Sequence, residues 1–225
     1  MNDHIDEWAK KQSDYWTKYY LKWRNQLPWC CPMWKENSWK VLSDVLPTKT
    51  GIRLLDYGCS KGNYVPLYLK KKFKVVGADI VKEAVEYCRS DKHKGAEFFE
   101  AATPKKLFDQ LGRQDEKNTK FDVIVLWSLM QHINSKLWQS FFDAFYNQLA
   151  EDGILIIGNR VKETNGLHND QMRPAPPDIE YWPIDCKEPT LNAYFHIVKC
   201  EPIPFHPYSL EYKYFVCRKK LAPNA

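Results

Sequence analysis

No apolar run in the sequence approaches the roughly 20 residues needed to span a bilayer. The longest, such as VIVLW at 123–127 and ILII at 154–157, are strand-sized. The opening MNDHIDEWAK is charged and lacks the apolar segment of an export signal. Neither export nor a membrane partner is therefore expected, and the expected compartment is the cytoplasm. There is no C-x-x-C pair. The seven cysteines are irregularly spaced and include the adjacent pair Cys30 and Cys31, which suits a reducing compartment better than a disulfide framework or a zinc knuckle. The six histidines form no H-x-x-x-H or comparable ligand pair, so no metal is expected. Charge of one sign is not concentrated either. The net charge is +5, and the one basic run, LKKKFK at 69–74, falls where a helix should end, a place that favours cations. A dedicated nucleic-acid surface usually gathers its charge on one face. Internal repeats and low-complexity tracts are missing too.

The rest is ordinary globular composition, 44% hydrophobic and 27% charged over 225 residues, enough for one well-buried core and too little for two ordinary α/β domains. A single domain over residues 1–225 is expected. From residue 53 onward, short β-rich runs alternate with amphipathic stretches, the pattern of a parallel sheet covered by helices. The expected strands are RLLD (53–56), KVVGAD (74–79), AEFFEA (96–101), FDVIVLW (121–127) and GILIIG (153–158). The clearest helix is 135–149, where Leu137, Phe141, Phe145 and Leu149 recur every fourth residue between a capping Asn134 or Ser135 and a turn at 151–153. Another should start at Thr103, with Pro104 at its first position.

Two regions break the alternation. The first 47 residues hold six of the nine tryptophans. They predict two helices, one carrying Trp16, Tyr19, Trp23 and Leu27, the other Trp39, Leu42 and Leu46. Residues 159–190 contain five prolines and no periodicity, as expected of a long loop over a site. The chain then offers two strands, YFHIVKCE (194–201) and LEYKYFVCR (210–218), placed to form an antiparallel hairpin.

The stretch LLDYGCSKGNYV (54–65) contains Gly58-Cys59-Ser60-Lys61-Gly62, which spells the G-x-S-x-G of a hydrolase elbow. That elbow belongs late in its sheet, whereas this one follows the first strand. A nicotinamide loop needs G-x-G-x-x-G, but Ser60 and Asn63 stand at its second and third positions. The strand also ends in Asp56, unwelcome beside a pyrophosphate and suited to a ligand bearing a cation.

With Asp56, Gly58 and Gly62 matching D/E-x-G-x-G-x-G and Ser60 in the place of the middle glycine, the stretch resembles motif I of the class I S-adenosylmethionine-dependent methyltransferases. FDVIVLWSLMQHI resembles the fourth strand and its exit in that family, and LAEDGILIIGNR its fifth strand. The likeness covers about residues 40–220. It implies a three-layer α/β sandwich around a mostly parallel seven-stranded sheet of order 3-2-1-4-5-7-6 with the last strand antiparallel. It divides the chain into an N-terminal helical lid (1–47), a cofactor core (48–160), an acceptor loop (161–193) and a closing hairpin (194–220).

For the site, the resemblance implies S-adenosyl-L-methionine as cofactor and S-adenosyl-L-homocysteine as product. Asp56, Tyr57, Gly58, Cys59, Ser60 and Gly62 would surround the methionine portion, and Asp79 with Ile80, at the end of the second strand, the ribose. Ala101 and Ala102 stand where many relatives carry an acid, so adenine would meet backbone and apolar groups. Trp127 and Ser128 would flank the adenosyl and methyl groups, unless Trp127 is simply core.

His132 is the candidate general base or acceptor-positioning group, since an unperturbed imidazole titrates near neutrality; packing at a strand-to-helix transition is the alternative. Trp16, Tyr19, Tyr20 and Trp23 are read as a lid lining the acceptor or as helix packing. Asn159, Arg160, His168, Arg173, Tyr181 and Trp182 follow the expected fifth strand, where the acceptor should be covered, with Asn159 and Trp182 favoured. The expected acceptor is a small molecule methylated at N, O or S. A protein terminus or RNA is the rival acceptor, and a non-catalytic cofactor-binding subunit the rival class.

Overall fold

Successive side chains of a strand point to opposite faces, and here both sets are apolar, so the sheet needs cover on both sides. The structure is a computed structural model describing residues 2–23, 32–114, 120–160, 182, 184, 186–203 and 212–220. Helices α1 (Asn2–Trp23) and α2 (Pro32–Val45) come first. Then follow β1 (Arg53–Tyr57), α3 (Val65–Lys70), β2 (Lys74–Asp79), α4 (Lys82–Arg89), β3 (Ala96–Glu100), α5 (Pro104–Gln114) and β4 (Phe121–Trp127). The chain continues through α6 (Trp138–Gln148), β5 (Leu149–Arg160), α7 (Pro189–Tyr194), β6 (Phe195–Pro202) and β7 (Tyr212–Lys219).

The seven strands lie in the order β3-β2-β1-β4-β5-β7-β6, with β7 antiparallel to both of its neighbours. One face buries Leu55, Val76, Ile124, Leu126 and Leu155 against Leu107 of α5 and Phe141, Phe142 and Phe145 of α6. The other buries Leu54, Val75, Val123, Val125 and Ile154 against Leu42 of α2, Tyr68 of α3 and Val85 of α4. This is the expected three-layer class. No helix among the described residues is long and apolar enough to cross a membrane.

Details differ from the sequence-based expectation. Residues 135–137 form a 3-10 turn, capped by the Asn134 side chain, before α6 begins. The turn expected at 151–153 is instead a bulge inside β5: Leu149 pairs with Phe121 and Ile154 with Val123. Gly153 permits this crowding, since a Cβ there would meet the Leu149 side chain at 2.8 Å. Thr103 does start α5, its hydroxyl accepting the Lys106 amide at 3.3 Å. α7 lies in a region read from sequence as loop. Leu27 falls outside the described residues.

Candidate cofactor and active site

The carboxyl ends of β1 and β2 are tied together by backbone hydrogen bonds. The amides of Gly58 and Cys59 both donate to the Ala78 carbonyl, at 2.7 and 3.0 Å. Asp79 adds a strap: one carboxylate oxygen accepts the Ser60 amide at 2.8 Å, the other the Val81 amide at 2.9 Å. The loop needs left-handed backbone at Gly58 (φ 85°), Ser60 (φ 49°) and Gly62 (φ 70°), a conformation that costs a side-chain-bearing residue. A Cβ on Gly58 would meet Leu129 at 3.0 Å, and one on Gly62 would meet the His93 ring at 2.7 Å.

Asp56 lies behind the loop, 2% exposed. Its Oδ2 meets no hydrogen-bond partner among the described residues. Burial, and then the charge of Asp79, raise its carboxyl to about 7. Burial also raises Asp79, opposed by the backbone amides of Val81, Ser60 and Ile80 that favour its ionised form.

A cavity of about 50 Å³ opens at this end of the sheet, room for a few waters. Tyr57, Gly58, Asp79, Ile80, Ala101 and Ala102 bound it from β1, β2 and β3. Leu129, His132, Ile133 and Phe141 form the opposite wall, and Trp8, Gln12 and Trp16 of α1 the roof. α1 thus lies across the mouth. Trp8 packs edge-on against Phe141 with centroids 5.8 Å apart, and Trp16 against His132 at 4.8 Å. The Trp16 Nε1–H donates to Gln12 at 3.0 Å. At the far end Tyr20 packs on Val81 and Ala84, and Lys61 Nζ sits 5.2 Å from its ring.

His132 closes a 3-10 turn, Met130–His132, after β4. The residue is half-buried with Nδ1 enclosed, and burial pushes the imidazole down to about 3. It is therefore neutral at physiological pH, and the near-neutral titration expected from sequence does not hold in this environment. Its Nε2 lies 3.2 Å from the Gln131 side-chain nitrogen, which also donates to the Tyr212 hydroxyl at 3.1 Å. The Asn159 Oδ1 accepts the Gln131 amide at 3.0 Å, and Gln131 in turn accepts the Trp182 amide at 2.9 Å.

The structure separates the residues singled out from sequence. Tyr57, Gly58, Asp79, Ile80, Ala101, Ala102, His132 and Trp16 share the cavity; Asp56, Cys59, Ser60 and Gly62 build the loop beside it. Trp127 is core: it is buried, its Nε1–H donates to Ser38 at 3.3 Å, and its ring packs against Gly158. Ser128 sits at φ 56° with its amide on the Gly158 carbonyl. Tyr19 packs against Tyr15 and Trp16 along α1. Asn159 is fully buried and Trp182 half-buried against the core. The side chains of Trp23 and Arg160 lie outside what the structure describes, as do His168, Arg173 and Tyr181.

Trp8, Gln12, Leu129, Ile133 and Phe141 were missed. For the first two a signal existed: positions 8, 12 and 16 fall on one face of a helix. Gln131 and Tyr212 carried none, because their hydrogen bond joins the turn after β4 to the start of β7, 81 positions apart and on either side of β5.

Among the described residues no group of three or more His, Cys, Asp or Glu could hold a metal. No curated protein matches the sequence significantly. By structure, the chain is similar to a 1,6-didemethyltoxoflavin-N1-methyltransferase from Burkholderia thailandensis, solved with its 1,6-didemethyltoxoflavin and S-adenosylhomocysteine (TM-score 0.71, 15% identity, 95% of this chain and 89% of that one). It is also similar to a magnesium protoporphyrin IX methyltransferase from Synechocystis PCC 6803 with bound S-adenosylmethionine (TM-score 0.64, 14% identity, 94% and 97%). A third likeness is to an S-adenosylmethionine-dependent methyltransferase from Archaeoglobus fulgidus (TM-score 0.64, 14% identity, 91% and 100%). At such identities these likenesses speak to the fold. Residues 13–192, most of the chain, match the family model described as a methyltransferase domain. With that match, the strand order and the glycine loop after β1, the chain belongs to the methyltransferase domain family, within the class I S-adenosylmethionine-dependent superfamily.

Proposed function

We propose that this methyltransferase moves the methyl group of S-adenosylmethionine to a nucleophilic N, O or S atom of a small molecule. The observation that carries the proposal is the cavity at the exits of β1, β2 and β3, roofed by the aromatic face of α1. The residues present suit the cofactor. Asp56 is a buried carboxylate with an oxygen lacking a partner among the described residues, and a nearby cation would relieve the burial and mutual repulsion that raise it. Asp79 keeps lone-pair capacity beyond the amides it holds, which suits sugar hydroxyls. Ile80, Ala101 and Ala102 offer an apolar, backbone-lined surface to a purine.

When bound, the cofactor supplies a methyl group on a sulfonium sulfur. Displacement from such a centre asks the protein mainly to align the partners and keep water away. In the proposed arrangement Trp8 and Trp16 exclude water, and the strapped loop holds position. His132, neutral and hydrogen-bonded to Gln131, orients rather than titrates. A nucleoside is far larger than the present cavity, so α1 acts as a lid that lifts to admit it.

A small acceptor suits this lid, because α1 lies across the mouth of a small cavity. The test is a screen of small amines, alcohols and thiols alongside RNA and peptides, following release of S-adenosylhomocysteine. Turnover with a small acceptor supports the proposal, and turnover confined to RNA or peptides overturns it.

A further inference from the structure

We propose that His93 is a positioning residue for the cofactor loop and, through Lys61, for the lid. The proposal rests on the cofactor site described above and adds a residue outside the cavity. His93 ends the 3-10 turn Asp91–His93, between α4 and β3. Its Nε2 lies 2.9 Å from the Lys61 carbonyl. A carbonyl only accepts, so Nε2 carries the proton and donates.

The contact is also steric. The ring atoms Nε2 and Cδ2 lie 2.7 and 2.8 Å from where a Cβ on Gly62 would stand. His93 therefore fills the space that Gly62 leaves, and its ring rests on Phe98 at 5.8 Å. One imidazole thus supports two consecutive loop residues, and it is not among the residues that bound the cavity.

The division of labour along the loop gives this contact its consequence. Gly58, Cys59 and Ser60 are held by Ala78 and Asp79 at the end of β2, and Cys88 Sγ backs the Ser60 carbonyl at 3.3 Å. At the next two residues, Lys61 and Gly62, His93 takes over. Lys61 faces both ways: its carbonyl is gripped by His93, while its ammonium stands 5.2 Å from the Tyr20 ring of α1 and 5.6 Å from Tyr87 of α4. Fixing the Lys61 peptide therefore sets both the far half of the loop and the foothold of the lid.

The test compares His93→Phe, which keeps a ring and loses the donor, with His93→Gln, which keeps a donor. His93→Phe should weaken S-adenosylhomocysteine binding, read by calorimetry, by roughly tenfold. KM for S-adenosylmethionine should rise in parallel while kcat stays within about twofold, and amides 61–64 should exchange hydrogen faster. His93→Gln should recover most of the loss. If His93→Phe does not fold, a cycle of Gly62→Ala with His93→Ala carries the test: the loss from Gly62→Ala should shrink once the ring is gone. Unchanged affinity and exchange in His93→Phe, or strictly additive losses in the cycle, overturn the proposal. A folded wild-type chain that binds no S-adenosylhomocysteine overturns the cofactor site beneath it instead.

Discussion

The floor and the roof of the cavity are built by different forces. The floor is backbone held by hydrogen bonds: Ala78 and Asp79 fix the amides of Gly58, Cys59, Ser60 and Val81 at 2.7–3.0 Å, with no solvent-exposed side chain in the chain of contacts. The roof is a helix resting on side chains. α1 touches the body through aromatic edges at Phe141 and His132, through Tyr20, through the Lys61 ammonium, and through the exposed Asp6–Lys106 pair at 3.8 Å. An exposed ion pair contributes about 0–1 kcal/mol and an aromatic pair about 0.5–1.5 kcal/mol beyond the area it buries. In the proposed lid reading, the floor is the fixed template for the ligand and α1 the cover that lifts from it.

The strongest attempt to break this contrast is on the floor. Asp79→Ala removes two hydrogen bonds between a carboxylate and backbone amides, each worth about 1.5–3 kcal/mol. It should lower affinity for S-adenosylhomocysteine by a hundredfold or more in calorimetry. A loss below about fivefold would mean that Asp79 does not organise the floor.

Next in size is the response to pH. Asp56 titrates at about 7 in the folded chain, and a cationic ligand prefers it ionised. Binding below that pH must therefore expel a proton, and affinity should fall by up to about tenfold per pH unit below about 7 and level off above it. Asp56→Asn should flatten the profile. The same shift has a sign for folding. The folded state keeps the proton up to about 7, whereas the unfolded chain releases it near 3.9, so the Asp56 contribution to stability is full below the lower value and is lost as pH rises through the upper one. In denaturant titrations, Asp56→Asn should gain on wild type between pH 5 and pH 8.

The roof responds next. Trp16→Ala should rehydrate His132 and move its titration from about 3 upward by a unit or more, toward the ordinary imidazole range. NMR titration of the ring follows this directly, and an unmoved value would show that α1 is not what dries it. The smallest effect belongs to Lys61→Met, which keeps the aliphatic stem and loses the cation over Tyr20, worth about 0.5–1 kcal/mol. Faster hydrogen exchange along α1, by a few-fold, with the sheet unaffected, is the expected result.

The floor was the legible part. Strand β2 came out at its expected residues, 74–79, and β4 at 121–127, because buried parallel strands are uninterrupted apolar runs flanked by polar breaks. Asp56 and Asp79 were visible as acids ending such runs. The roof was legible only as an aromatic stripe whose destination stayed open between packing and lid; its nearer half, Trp8 and Gln12, went unread although it lies on the same helical face. Trp127 stayed open between core and ligand contact in the sequence; Ser38 from α2 and Gly158 from β5 enclose it.

From its own letters the chain declares a layered α/β sheet, a bend after the first strand and acids at two strand ends, since these follow from periodicity and from conformations available to few residue types. Tertiary structure alone brings His93 against Gly62, Gln131 between His132 and Tyr212, and α1 across the mouth. Those meetings join residues tens of positions apart, and they depend on side-chain volumes and directions that no local pattern records.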